Sequence, residues 1–309
     1  MNESNNEHTI LRPSVLPHDD HVLPETRWLA AVIIPFLVVA FVILYFWPND
    51  TDKLFAWTIK PTMTPMMLAA AYLGGIYFFA RVIAAKQWHL VKLGFLPITS
   101  FATLLGIATL LHWDRFNHSH ISFYIWTILY FTTPFLVFIV WLRNRTTDSG
   151  IPEPNELIIH PIIRLFIGII GAITLAISLL LFLQPALMIR LWPWMLTPLT
   201  ARVVGAMFAL PGIVGLGIAT EKRWSAARII LEAQACSLVM ILIAAAFSWE
   251  DFALSNPLTW LFVGGLGFML VAIVALYVSC EIHRRNMVSS TRDTHSPSNA
   301  LPSSSVFPE

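Results

Sequence analysis

The sequence predicts an all-α polytopic membrane protein: eight transmembrane helices built as a tandem duplication of a four-helix unit, 4+4 about a parallel pseudo-two-fold axis, with both termini cytoplasmic. Three observations predict it. Hydrophobic residues make up 57% of the 309-residue chain and charged ones 12%, with a mean hydropathy of +0.70; a soluble domain carries roughly 45–50% and 25%. Eight apolar runs are long enough to cross a hydrocarbon core of ~30 Å. The two halves of the chain share a set of residues at a fixed offset.

The runs lie near 28–47, 64–84, 91–112, 121–143, 162–183, 201–219, 227–247 and 259–281. Inside lipid the backbone must satisfy its own hydrogen bonds, so continuous runs of this length are helices. A membrane β-barrel would instead alternate in polarity over ~10 residues. Gly74, Gly75, Pro211 and Gly212 interrupt the second and sixth runs, where they kink a helix or permit close packing. The first run begins at Trp28 behind a polar segment, too long and too late for a signal peptide, and reads as a retained span.

Lysine and arginine set the orientation. Arg12, Arg27, Arg81, Lys86, Lys92, Arg143, Arg145, Arg164, Lys222, Arg223, Arg228, Arg284, Arg285 and Arg292 fall on one side, and Lys53, Lys60, Arg115, Arg190 and Arg202 on the other. The richer side is cytoplasmic by the positive-inside rule, which places both tails inside and the 112–120 loop outside a cell membrane of the bacterial plasma-membrane kind.

The domain organisation follows. Residues 1–26 and 286–309 read as disordered tails, 27–144 and 161–285 as the two membrane units, and 145–160 as a cytoplasmic linker with the turn-rich Gly150-Ile151-Pro152-Glu153-Pro154. An offset of 137 puts Arg27 on Arg164, Pro48 on Pro185, Trp57 on Trp194, Pro61 on Pro198 and Gly75 on Gly212. After a one-residue deletion the offset of 136 puts Trp88 on Trp224, Lys92 on Arg228, Trp113 on Trp249, Asp114 on Glu250 and Phe116 on Phe252. Hydropathy alone does not generate matched tryptophans, prolines and charges at one period. An even number of helices per unit inserts both halves the same way up.

Composition excludes several function classes. A net charge of +1 without a basic stripe argues against nucleic acid. Two cysteines, Cys236 and Cys280, make neither a disulfide framework nor a zinc ribbon. The chain lacks GxSxG, HExxH, P-loop and GxGxxG-plus-acid motifs, so no catalytic residues are expected and the reading leans away from an enzyme. No cofactor is expected, and the partners are the lipid bilayer and a possible small solute or cation.

Candidate sites are therefore few. Trp57, Trp113, Asp114, Trp194, Trp249, Glu250 and Asp251 fall on the outer side, where tryptophan anchors at headgroup level or, beside carboxylates, holds a cation. An outward-facing acidic vestibule of a small-solute or cation permease is the alternative to a structural or sensory membrane protein. His112, Asp114, His118 and His120 crowd into nine residues and carry a second alternative, metal or haem binding. Glu232 lies inside a span with Arg228 one turn earlier, and is read as an intramembrane ion pair or a coupling site.

Overall fold

A computed structural model describes residues 19–152 and 156–295, with side chains as far as 287. Most of the two expected tails, including His8 and His18, and the Glu153-Pro154 part of the linker lie outside the described residues. Within them the fold is all helical, and eight helices are long and apolar enough to cross a membrane.

The first half consists of α1 (Pro24–Phe46), a short α2 (Thr51–Leu54), α3 (Met63–Ala84), α4 (Phe95–Leu111) and α5 (Ile121–Asn144). The second consists of α6 (Pro161–Leu183), a short α7 (Pro185–Leu191), α8 (Pro198–Thr220), α9 (Trp224–Phe247) and α10 (Pro257–His295). Proline occupies the first turn of α1, α6, α7 and α8, where its missing N–H has no intrahelical partner to lose. In each half a 3-10 turn separates the last two helices, Trp113–Arg115 in one and Trp249–Asp251 in the other. The polar segments expected to flank the spans are partly ordered: α1 begins before Trp28, and α10 continues past the expected span end to His295.

Packing within and between the halves follows one pattern. The first helix of each half packs on the second long helix, α1 on α3 and α6 on α8. The second long helix then packs on the third long helix of the other half, so α3 crosses α9 and α8 crosses α4. Small residues permit this closeness. A Cβ on Gly171 of α6 would stand 2.8 Å from the Gly212 carbonyl oxygen and 2.9 Å from Gly215 Cα, inside ordinary contact, so α6 and α8 touch backbone to backbone. Pro211 sits within α8 without ending it. The chain forms one bundle whose core runs through both halves.

Candidate functional site

At the end of the bundle that carries Trp57, each half forms a box of four aromatic rings. Trp57 lies 5.1 Å from Phe55, 5.0 Å from Phe116 and 4.6 Å from Trp126 between ring centroids. Trp194 lies 5.3 Å from Trp192, 5.3 Å from Phe252 and 5.0 Å from Phe262. The loop after α4 is tied to the box by Asn117 N–H donating to Ala56 O at 2.8 Å, and the loop after α9 by Ala253 N–H donating to Pro193 O at 2.8 Å. Both Trp57 and Trp194 are buried in these boxes. The Trp194 indole donates to Thr64 Oγ1 at 2.9 Å, whereas the buried Trp57 Nε1 has no partner.

The acids nearby are differently employed. Asp251 Oδ2 accepts from Thr62 Oγ1 at 2.7 Å and Met63 N–H at 2.8 Å, so it secures the start of α3 from the other half. Asp114 is exposed and pairs with Arg115 at 3.2 Å. Glu250 is exposed. Trp113 stands partly exposed against His118 and Phe123, and Trp249 against Phe252 and Trp260.

The loop histidines have local duties. His112 Nε2 accepts from the Arg202 guanidinium at 2.6 Å, which requires its ring proton on Nδ1; burial and the Arg202 charge push its pKa down. His120 Nδ1 accepts from Ser122 N–H and caps α5. His118 lies against Trp113 and Phe123. Among the described residues no three His, Cys, Asp or Glu side chains stand close enough to hold a metal ion.

Glu232 sits eight residues into α9, ~12 Å along the helix at 1.5 Å per residue. Its neighbours exceed the single arginine visible from helical spacing. Oε2 accepts from Arg81 at 2.8 Å and Tyr77 at 2.5 Å, Oε1 from Tyr277 at 2.9 Å, and Arg228 stands 3.8 Å away. The carboxylate thus joins α3, α9 and α10. Tyr77 and Arg81 are one turn apart on α3, a spacing legible in sequence; their meeting with Glu232 is not.

The opposite end of the bundle carries two polar constellations that motif reasoning missed. In the first, Arg223 is almost fully buried and grips Asp148 at 2.9 and 2.7 Å and Glu221 at 3.0 and 2.9 Å; Lys92 reaches Asp148 at 2.8 Å and also pairs with Glu221. Burial by itself would raise both carboxyls, but hydrogen bonds from Arg223 and Lys92 outweigh it. Glu221 is held at about 2, Asp148 lies well below the usual carboxylate range, and the Arg223 guanidinium is driven further up.

In the second, Asp20 accepts from His89 N–H at 3.1 Å and pairs with the His89 ring, while Glu156 accepts from Ser225 N–H and Ser225 Oγ at 3.0 Å each. His89 Nε2 and Ser225 Oγ then meet at 3.1 Å. Asp20–His89–Ser225 has the connectivity of a charge-relay triad, yet the serine proton has the Glu156 carboxylate as a competing acceptor. A second carboxylate beside Oγ would also repel a developing oxyanion, the reverse of what acyl transfer requires. The cluster serves as a latch between chain segments. His89 and Ser225 stand at the shared offset of 136, whereas Asp20 and Glu156 are one residue out of the offset of 137 that holds before the deletion.

Half-way along the long helices lies a cavity of about 200 Å³. Leu37, Phe101, Met207 and Leu238 contribute to its walls, as do Tyr72 and Tyr130. No family model, no curated protein and no solved structure matches this chain.

Proposed function

We propose that the chain is a tandem duplication of a four-helix unit, 27–144 and 161–285, with a pseudo-two-fold axis along the membrane normal and both tails on the cytoplasmic side of the cell membrane. The paired aromatic boxes support the duplication, because equivalent rings keep equivalent spacings around Trp57 and Trp194. The crossed packing of α3 on α9 and of α8 on α4 is the contact pattern a two-fold axis generates. Basic residues concentrated at the Arg223 end support the sidedness. Single-cysteine labelling at 118 and 150 tests it: the two sites label from opposite sides, and labelling from the same side overturns the topology.

The activity we assign is that of a non-enzymatic, sensory or structural membrane protein. One observation carries this: the buried ionic and polar clusters join chain segments, while the cavity at mid-length is lined mostly by apolar side chains and by no charged one. A hydrated ion crossing there would lose its water to walls that offer no counter-ion. Proteoliposome flux of potassium and of choline tests the assignment, and the expected result is a rate no higher than that of empty vesicles. The exposed Asp114 and Glu250 favour a second reading, a cation permease with an acidic outer vestibule completed by Asp251. Saturable flux abolished by Asp114→Asn with Glu250→Gln would establish that second reading and defeat the first.

A further inference from the structure

The cavity between the halves has a chemical character that the sensory assignment does not itself specify. It is reached by residues near the midpoints of the long helices: Leu37 of α1, Tyr72 of α3, Phe101 of α4, Tyr130 of α5, Thr174 of α6 and Leu238 of α9. An aliphatic and aromatic cavity of about 150 Å³ stays dry and accepts benzene. At about 200 Å³ this one has room for a single substituted ring. A charged occupant would leave water for walls that offer no counter-ion, which excludes ions and zwitterions.

Among the polar side chains in the wall, which include Thr133, Thr174, Gln234 and Ser237, one pair stands out. The hydroxyls of Tyr72 and Tyr130 are 2.8 Å apart, and both residues are buried, at 3% and 4% exposure. Among the described residues each hydroxyl's hydrogen bond is to the other. Two hydroxyls carry two protons; the pair uses one, and the second has no acceptor. A buried donor proton without an acceptor is costly. An interhelical bond between α3 and α5 explains the pair but not the spare proton, nor why it lines a cavity. The corresponding positions of the second half are Ala209 and Leu266, so the tyrosine pair has no equivalent there.

We propose that this cavity binds a neutral lipophilic molecule of about one ring, oriented by a carbonyl or ether oxygen that accepts the spare O–H of the Tyr72–Tyr130 pair. The site requires neither the duplication nor the sidedness argued above.

The test uses the full chain in nanodiscs with two probes of one shape, acetophenone and α-methylstyrene, in which a methylene replaces the carbonyl oxygen. Binding is read by saturation-transfer NMR titration against empty nanodiscs. The wild type binds both probes, and prefers acetophenone by roughly 2- to 12-fold beyond the partition ratio in empty discs, the worth of one neutral hydrogen bond. Tyr72→Phe/Tyr130→Phe retains α-methylstyrene binding and loses the preference; both sites are changed because either lone hydroxyl can donate. Ala71→Phe fills the cavity with the ring that its counterpart Phe208 already carries, and weakens both probes at least tenfold. Should that variant not fold, Thr174→Leu fills the opposite wall with the residue that stands at its counterpart, Leu37. No binding to the wild type above empty discs, no preference, a preference that survives in the double phenylalanine variant, or undiminished binding in the filled variant would each overturn the proposal.

Discussion

Replacing Arg223 with methionine removes the centre of the buried ionic cluster and should destabilise the protein in a pH-dependent way. The Arg223 side chain is 3% exposed, that of Asp148 6% and that of Glu221 9%. Holding Glu221 at about 2 against its ordinary 4.5 corresponds to roughly 3 kcal/mol at neutral pH. Because this carboxyl is depressed in the fold, its contribution is complete above about 4.5 and is lost as pH falls toward 2; Asp148, also depressed, extends the loss to lower pH. Without Arg223 the two carboxylates share Lys92 alone. Breaking a buried pair costs about 3–5 kcal/mol, which lowers a melting temperature by on the order of 10 °C in a chain of this size.

Intrinsic tryptophan fluorescence during heating, in nanodiscs from pH 4 to 7.5, reads the effect. At pH 7 Arg223→Met melts well below the wild type. On acidification the gap narrows, because burial now raises the carboxyls of the variant and lets them take up protons, while the wild type keeps both charged down to the lower end of this range. Adding Asp148→Asn and Glu221→Gln to the variant recovers most of the loss. A melting point within about 2 °C of wild type at pH 7, or parallel pH profiles, would refute the reasoning.

Other perturbations separate neighbouring effects. Gly171→Val forces α6 from α8 and costs about 1–3 kcal/mol or prevents assembly, while Gly264→Ala, where a Cβ meets nothing within 4 Å, changes the melting point by less than about 2 °C. Ala201 corresponds to Thr64, so Ala201→Ser supplies the acceptor that Trp57 Nε1 lacks and adds roughly 1 kcal/mol; a lower melting point would count against that positional equivalence. Glu232→Leu leaves Arg81 without its carboxylate and costs more than the Glu232→Leu/Arg81→Leu double variant, as thermal melts of the four proteins will register.

Much of the architecture was legible in sequence because its cause is local. A helix that crosses lipid satisfies its own backbone, so length and polarity mark each span without knowledge of its neighbours. All eight expected spans correspond to helices, with starts displaced by a few residues where proline or a polar cap begins a helix outside the apolar run, as Pro24 and Pro257 do, and with the last helix running on from the expected end at 281 to His295. The candidate sites were less legible. Helical spacing brings Arg228 near Glu232, but says nothing of Arg81, Tyr77 or Tyr277, which arrive on other helices. Tryptophans at the ends of apolar runs suggested headgroup anchors or a vestibule lining, while the structure buries Trp57 and Trp194 inside aromatic boxes.

The sequence by itself determined the number of membrane-crossing helices and the residues available at each end of them. Only the tertiary structure decided how those residues are used. It folded residues 20–22 and 156–159 back onto the loops 86–89 and 222–225. It buried Arg223 between acids 75 residues and 2 residues away in the chain, and it left a cavity where helices of the two halves meet at mid-length. The physical reason is range. Hydrophobic transfer into a bilayer is a property of a segment, whereas the partner of a hydroxyl, a carboxylate or a guanidinium depends on which other segment packs beside it.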